Sequence, residues 1–84
     1  MSTIMPNERY FHYNGQRISY REAEVLLACA QGLTIEQTAD KLFISPSTIK
    51  RHRENLRLRF SLQGYSTLVC FASKLEPELE KWVK

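Results

Sequence analysis

The sequence predicts an all-α domain of four short helices, preceded by a β-hairpin. Ser19, Thr34 and Ser45 are each a preferred helix N-cap residue that stands just before an apolar pattern of helical spacing. Asn14-Gly15 is the preferred two-residue hairpin turn and lies between residues that favour strands. A chain of 84 residues has room for one such domain with a modest core. We therefore expect an N-terminal extension over residues 1–18, a helical domain over residues 19–75 and a C-terminal tail over residues 76–84.

The composition excludes several classes of protein. Hydrophobic residues make up 43% of the chain and charged residues 25%, which is typical of a folded domain rather than a disordered one. No apolar run approaches the roughly 20 residues that span a bilayer, and the N-terminus lacks the apolar stretch of a secretory signal. We therefore expect a cytoplasmic protein with no membrane partner. Cys29 and Cys70 lack metal-binding spacing, so we expect two buried thiols, no metal site and no cofactor.

The hairpin and the first helix have the clearest local signals. Residues 9–13 are rich in strand formers, and residues 16–18 can return beside them after the turn. Ser19 and Glu22 have the spacing of a capping box, in which each side chain bonds to the backbone of the other residue. Apolar residues then repeat at helical spacing until Gly32, which can adopt the left-handed conformation that ends a helix.

Two further helices are predicted on either side of a tight turn. Thr34 caps a helix of about two turns that ends near Phe43. Ser45-Pro46 begins the next helix, because proline at the first helical position loses no hydrogen bond. This third helix runs from Pro46 to about Phe60, and its expected buried residues are Ile49, Leu56 and Phe60. Two short helices joined by a tight turn, with a basic second helix, form the pattern of a helix-turn-helix.

The fourth predicted helix covers residues 65–75 and carries more apolar residues than one buried face needs. Gly64 precedes it, and we expect Pro77 to stop it. The last residues then form a polar tail or one more helical turn around Trp82. The excess apolar surface has two interpretations, an interface between molecules or a face that the N-terminal hairpin covers.

Positive charge is concentrated in the third helix. Residues 46–60 contain five Lys and Arg against one Glu, whereas residues 1–45 contain four against five and residues 61–84 contain three of each. The whole excess of the net charge of +3 therefore lies in one segment. A nucleic-acid-binding element has this distribution, as does a solvated helix face.

Helix geometry predicts which residues of this segment point outward and could contact nucleic acid. Each residue turns the helix by about 100°, so an inward Ile49 places a set of polar residues outward. Lys50 and Arg51 can donate to guanine, and Glu54 can accept from cytosine or orient a neighbouring arginine. The expected base contacts are Ser47, Lys50, Arg51 and Glu54. The expected phosphate contacts are Thr34, Thr48, Arg53, Arg57 and Arg59.

Four segments then carry a resemblance to a known family. They read REAEVL at residues 21–26, AQGLT at 30–34, ADKL at 39–42 and ISPSTIKRH at 44–52. In this order and spacing, residues 18–72 resemble the DNA-binding domain of the LuxR/NarL/GerE-type bacterial transcriptional regulators. The sequence departs from the family pattern at Arg53, where an apolar residue is common, and at Gly64-Tyr65, where a Ser-Arg pair is common.

The resemblance implies a four-helix domain whose second and third helices form the helix-turn-helix. It implies base contacts at the positions of Lys50, Arg51 and Glu54, and a homodimer through the fourth helix. Such a dimer reads two half-sites about one helical turn apart. The expected dimer contacts are Tyr65, Leu68, Val69 and Ala72.

The predicted function is a standalone, sequence-specific transcriptional regulator that binds double-stranded DNA. Family members usually carry a sensor domain before this one, whereas here only about 17 residues precede it, so a regulatory protein partner is a second expectation. The alternative is a small interaction module that pairs with a larger regulator through helix 65–75. We expect no enzymatic activity and no catalytic residue, because no nucleophile, paired histidine or phosphate loop stands in a recognisable motif.

Overall fold

Four helices and one hairpin form the fold, in a computed structural model that describes residues 10–83. The elements are β1 (Tyr10–Tyr13), β2 (Gln16–Ser19), α1 (Tyr20–Ala30), α2 (Ile35–Leu42), α3 (Pro46–Arg59) and α4 (Gly64–Val83). Helix α1 packs mainly against α4 and also contacts α3, while α2 packs against α3. The predicted fold class, four helices with an N-terminal hairpin, is confirmed.

The hairpin has the predicted turn. Asn14 and Gly15 have φ values of +52° and +77°, the pair of left-handed residues that a two-residue hairpin turn requires. Phe11 pairs with Ile18 across the two antiparallel strands. Arg9, which we expected to begin the first strand, lies outside the described residues.

Side chains from the hairpin reach α4. Tyr13 meets Phe71 edge-to-face with ring centroids 5.6 Å apart, and Phe11 meets Trp82 in the same way at 5.9 Å. Edge-to-face pairs of this kind are favourable beyond the area they bury. The hairpin therefore covers part of the apolar surface of α4. This is one of the two interpretations that the sequence leaves open for that surface.

The predicted helix starts are confirmed by their hydrogen bonds. The Ser19 hydroxyl accepts from the Glu22 backbone N–H at 3.2 Å, and the Glu22 carboxylate accepts from the Ser19 N–H at 3.1 Å. Thr34 and Gln37 form the same reciprocal pair at the start of α2, which the sequence analysis did not single out. Ser45 caps α3. These bonds satisfy backbone donors that a helix start leaves free.

The two turns around α2 use different residues to leave the helical conformation. Gly32, with φ of +82°, ends α1, and the next N–H bonds back to the carbonyl of Ala28 at 3.0 Å. Phe43, with φ of +59°, takes the corresponding left-handed position after α2 and is 92% exposed. A left-handed phenylalanine is uncommon, and it sets the tight turn from α2 into α3.

Helix α4 is longer than predicted. The sequence predicts an end at residue 75 and a tail over residues 76–84, but α4 continues through Pro77 to Val83. Proline inside a helix costs about 3 kcal/mol or more, yet Pro77 lies on the exposed side. The turns beyond it bury Leu79 and pack Trp82 against Phe11 and Tyr20. This added apolar contact outweighs the lost hydrogen bond, so the prediction of a helix stop at Pro77 was wrong.

Two apolar clusters hold the helices in place. The larger one joins the hairpin, α1, α3 and α4, and includes Leu26, Leu56 and Leu79. The smaller one consists of Val25, Ala39 and Ile49 and fixes α2 and α3 against α1. The orientation of Ile49 towards the core is as predicted, so the opposite face of α3 is directed outward.

The two cysteines differ in exposure. Cys29 is fully buried in α1, as predicted, whereas Cys70 is exposed. The prediction that Cys70 is a buried thiol was wrong, because α4 buries the stripe that contains Leu68, Ala72, Leu75 and Leu79 and turns Cys70 to the opposite side.

Candidate nucleic-acid interface

The outward face of α3 presents a compact set of polar groups. Ser47, Lys50, Arg51 and Glu54 are all exposed, as their helical spacing predicted. Within residues 10–83, no hydrogen bond or ion pair holds the ammonium group of Lys50 or the guanidinium group of Arg51. Both cationic groups are therefore available to an external acceptor from the first half of α3, the part of a recognition helix that reaches base edges.

Glu54 is already paired with Arg57. The Arg57 guanidinium donates to both carboxylate oxygens, from Nε at 3.1 Å and from Nη2 at 2.5 Å, while its Nη1 donates to the carbonyl of Leu62 at 3.1 Å. The hydrogen bonds from Arg57 hold the pKa of the Glu54 carboxyl below its usual range. Of the two roles considered for Glu54, this geometry favours the orientation of a neighbouring arginine.

Thr34 and Thr48 stand at the starts of α2 and α3. The Thr34 hydroxyl caps α2 and is exposed, while the Thr48 hydroxyl lies 2.9 Å from the Ser45 hydroxyl. The first N–H groups of a helix have no partner within it and carry partial positive charge, which suits them to a phosphate oxygen. At the start of α3, however, Pro46 has no N–H and the Thr48 N–H already donates to the Ser45 hydroxyl, so α3 offers fewer backbone donors than α2.

Arg59 is engaged inside the protein. Its guanidinium donates to both oxygens of Glu22, at 2.6 and 2.9 Å, and to the carbonyl of Arg17 at 2.9 Å. Both terminal nitrogens are thus used within the fold. The donors that the predicted phosphate contact of Arg59 would need are therefore bonded inside the fold. The charge pattern of the sequence could not show this, because it does not reveal the buried carboxylate on α1.

Arg53 is also held internally, although it stays near the surface. Its Nη2 donates to the carbonyl of Leu33 at 3.1 Å, and its buried Nε has no hydrogen-bond partner among residues 10–83. The guanidinium carbon lies 4.8 Å from the ring centroid of Tyr65. Arg53 and Arg57 are thus both bonded within the fold, Arg53 through Nη2 and Arg57 through all three guanidinium nitrogens. Sequence reasoning missed the contact with Tyr65, and the only signal was that both residues depart from the family pattern.

Two of the four expected dimer contacts lie in the core of the single chain. Leu68 is 2% exposed and Ala72 is fully buried, so neither side chain is accessible to a second molecule. Tyr65 is exposed and Val69 is half-buried. The apolar repeat that suggested the dimer contacts is the same repeat that binds α4 to α1, which is why the sequence could not separate the two roles.

His52 is part of the packing behind the outward face. Its imidazole is half-buried, and the buried Nδ1 has no hydrogen-bond partner in the described part of the chain, residues 10–83. Burial lowers the pKa of His52, although the charge of Glu22 acts in the opposite direction. The ring is therefore neutral in the fold near neutral pH.

Two other features, a cluster of metal ligands and a membrane-spanning helix, are absent from the part of the chain that the structure describes. Residues 10–83 contain no group of three or more potential metal ligands. Among the helices of those residues, none combines the length and the apolar character needed to cross a bilayer.

Comparison with known proteins identifies the family. The model of the bacterial regulatory proteins of the luxR family (GerE) matches residues 16–72. The response regulator protein TodT of Pseudomonas putida is 34% identical over 67 residues, which cover 80% of this chain and 30% of TodT. The uncharacterized transcriptional regulatory protein YxjL of Bacillus subtilis is 42% identical over 52 residues, or 62% of this chain and 24% of YxjL. The oxygen regulatory protein NreC of Staphylococcus aureus is 33% identical over 57 residues, or 68% and 26%.

These relatives are longer than the chain. It spans about 30% of the length of TodT and less of the other two. No solved structure matches it. The helix-turn-helix formed by α2 and α3 falls inside the matched segment. The chain therefore belongs to the luxR family of bacterial regulatory proteins.

Proposed function

We propose that the protein is a sequence-specific transcriptional regulator that binds double-stranded DNA through α3. The observation that carries this proposal is the pair Lys50 and Arg51, two exposed cations with no partner among residues 10–83. They lie on the outward face of a helix anchored by Ile49. A helix of 14 residues that projects such groups fits the major groove, where base edges present distinct patterns of donors and acceptors. The names of the relatives, which include response and transcriptional regulators, agree with this assignment.

The contacts divide into base reading and backbone positioning. Ser47, Lys50 and Arg51 read base edges, and Glu54 acts through Arg57. Arg57 binds phosphate together with the helix starts at Thr34 and Thr48. Phosphate contacts of this kind set the register of the protein on the duplex without reading the sequence.

The proposed assembly is a homodimer on an inverted-repeat operator, formed through α4. This helix of 20 residues has an exposed side opposite its buried stripe. The exposed residues on that side are Ser66, Thr67, Cys70, Ser73, Lys74, Pro77 and Lys81. Val69 lies at the edge of this surface, while Leu68 and Ala72 support it from within.

The alternative, an interaction module that pairs through helix 65–75, rests on the same apolar pattern as the homodimer, and burial within the chain weakens that support for both. The excess apolar residues of α4 are accounted for by the core and by the hairpin, since Leu68 and Ala72 are buried and Phe71 packs on Tyr13. A module of that kind also gives no role to Lys50 and Arg51.

The decisive experiment is selection of bound sequences from a random DNA pool at near-physiological salt. We expect recovery of two half-sites in inverted orientation, about one helical turn apart. The matched control is the double variant Lys50→Ala/Arg51→Ala, which should fold and lose the motif. Recovery of no motif by the wild type, with only salt-sensitive binding, would refute sequence-specific recognition and favour the interaction module.

A further inference from the structure

A pocket of about 270 Å³ lies where the hairpin meets the first turn of α1 and the last turn of α3. We call it the hairpin pocket, and it is lined by Tyr10, Gln16, Arg17, Ser19, Glu22 and Arg59. None of these residues is among the proposed base contacts, so the pocket is distinct from the surface proposed to read DNA. Its volume is just below the roughly 300–1,000 Å³ of sites for drug-sized molecules, which limits the occupant to a small molecule.

Strand geometry brings three of the lining side chains to one face of the hairpin. Successive side chains of a strand point to opposite faces, so Arg17 and Ser19 lie on the face of β2 opposite to the buried Ile18. Tyr10 pairs with Ser19 across the hairpin and therefore lies on the same face. The guanidinium carbon of Arg17 lies 4.6 Å from the centroid of the Tyr10 ring. This cation–π contact restricts the position of the arginine side chain.

Arg17 supplies the free charge of the hairpin pocket. Arg59 and Glu22 neutralise each other, because both terminal nitrogens of Arg59 donate to the Glu22 carboxylate. Within residues 10–83, the Arg17 guanidinium makes no hydrogen bond and no ion pair, so its five N–H donors are available. The three charged residues of the lining therefore leave one positive charge, and this charge carries unused donors.

A carboxylate is the anion that best matches this arrangement. It carries one negative charge, whereas a phosphate monoester carries about −1.5 to −2 at neutral pH, and the nearby carboxylate of Glu22 disfavours the additional charge. The two oxygens of a carboxylate can accept parallel hydrogen bonds from one guanidinium. The other polar walls, which include Gln16 and Ser19, suit a ligand that also carries a hydroxyl group.

We propose that the hairpin pocket binds a small hydroxy acid, whose carboxylate accepts hydrogen bonds from the Arg17 guanidinium. The backbone carbonyl of Arg17 already accepts from Arg59 at 2.9 Å, so a ligand held by Arg17 stabilises the junction between the hairpin and the last turn of α3. The inference goes beyond the proposed function, and its test needs no DNA.

The test is a titration of the full chain with sodium lactate at constant ionic strength, followed by NMR of the backbone amides and of the arginine Nε–H groups. We expect saturable shifts of the Arg17 Nε–H signal and of the amides of residues 16–19. A Tm increase of about 6–11 °C should accompany them when lactate is at ten times its Kd. Propane-1,2-diol, in which a hydroxymethyl group replaces the carboxylate of lactate, should leave the signals unchanged. Inorganic phosphate should bind more weakly than lactate.

Substitutions assign the binding to Arg17. Arg17→Gln removes the guanidinium from an exposed position and keeps the backbone carbonyl, and it should lower the affinity for lactate at least about tenfold. Arg17→Lys keeps the charge but not the paired donors and should bind with intermediate affinity. Arg21→Gln is the matched control, since Arg21 is an exposed arginine that pairs with Glu24 outside the pocket lining. It should bind lactate as the wild type does.

Four results would overturn the inference. The absence of saturable shifts in the wild type would exclude the site, and wild-type affinity in Arg17→Gln would place the binding elsewhere. An equal response to propane-1,2-diol would remove the role of the carboxylate. Tighter binding of inorganic phosphate than of lactate would contradict the charge balance on which the choice of ligand rests.

Discussion

Arg59 donates to both carboxylate oxygens of Glu22 and so joins the last turn of α3 to the first turn of α1. The same guanidinium bonds the carbonyl of Arg17 and thereby includes the hairpin. Burial alone would raise the pKa of Glu22. The hydrogen bonds from Arg59 and from the Ser19 N–H, together with nearby positive charge, outweigh burial, so the pKa of Glu22 is lowered. The pair fixes the angle at which α3 leaves the core.

Replacing Arg59 with alanine should destabilise the fold rather than remove a DNA contact. The carboxylate of Glu22, 9% exposed, would lose its partner, and the cost should be about 2 kcal/mol, between the values for surface and buried pairs. For a domain of this size that corresponds to a fall in Tm of about 10 °C in a circular dichroism melt.

Arg21→Ala provides the control, because Arg21 pairs with Glu24 on the surface and is 46% exposed. Its removal should cost less than about 0.5 kcal/mol, which is typical of an exposed pair. The salt dependence of DNA binding distinguishes the two roles of Arg59, since a structural residue leaves the slope unchanged. A slope reduced by about one in Arg59→Ala would restore the phosphate contact.

Lys50→Ala and Arg51→Ala should each weaken binding to the selected operator by about 1–3 kcal/mol and relax the preference at one base pair. The physical reason is that each side chain supplies donors to a base edge that alanine cannot replace. Titrations against the operator and its single-base variants measure both effects. Arg21→Ala, which removes an exposed charge from α1, outside both proposed interfaces, is the control. Equal weakening on every DNA sequence would show that these residues bind phosphate instead.

Glu54→Gln should increase binding to unrelated DNA more than binding to the operator. The substitution removes the anion that Arg57 holds at 2.5 Å and so frees the guanidinium for phosphate. The salt slope should become steeper, and the ratio of specific to non-specific affinity should fall. Arg57→Ala is the opposite variant and should weaken all sequences alike. Unchanged affinity of Glu54→Gln for unrelated DNA would mean that the pair has no part in the interface.

The dimer surface can be tested separately from the core. Cys70→Glu places a charge on the exposed side of α4 and should abolish the dimer while the melting transition stays close to that of the wild type. Leu68→Glu buries a charge in the core and should unfold the domain, because an unpaired buried carboxylate is costly. Sedimentation with and without operator DNA measures the first effect. A dimer that persists in Cys70→Glu would exclude this side of α4 as the interface.

Local signals in the sequence predicted most of the fold. The caps at Ser19, Thr34 and Ser45 and the turn at Asn14-Gly15 each involve neighbours within a few residues, so their spacing alone specifies the bonds. The helix stop predicted at Pro77 was wrong because the local cost of proline is offset by contacts of Trp82 with the hairpin, which is distant in the sequence.

The site was predicted less completely, for a similar reason. Lys50 and Arg51 follow from helix periodicity, and they are exposed as expected. Arg59 is held by Glu22, which lies 37 residues away along the chain. Arg53 is held by Leu33 and Tyr65, which lie 20 and 12 residues away. A pattern of charges shows which residues are cationic, but it does not show which of them already have a partner.

His52 should make the fold sensitive to mild acid. Burial lowers its pKa in the folded state, whereas the unfolded chain takes up the proton near the ordinary value of about 6.5. As pH falls below about 7, the unfolded state therefore binds more protons than the folded state, and the free energy of unfolding decreases until the folded imidazole is protonated as well. His52→Gln should reduce this slope in urea titrations between about pH 5 and pH 7. His12→Gln, which removes an exposed imidazole from β1, is the matched control. A slope in His52→Gln equal to that of the wild type would assign the acid sensitivity to other groups, and the Glu22–Arg59 pair would be the next to test at lower pH.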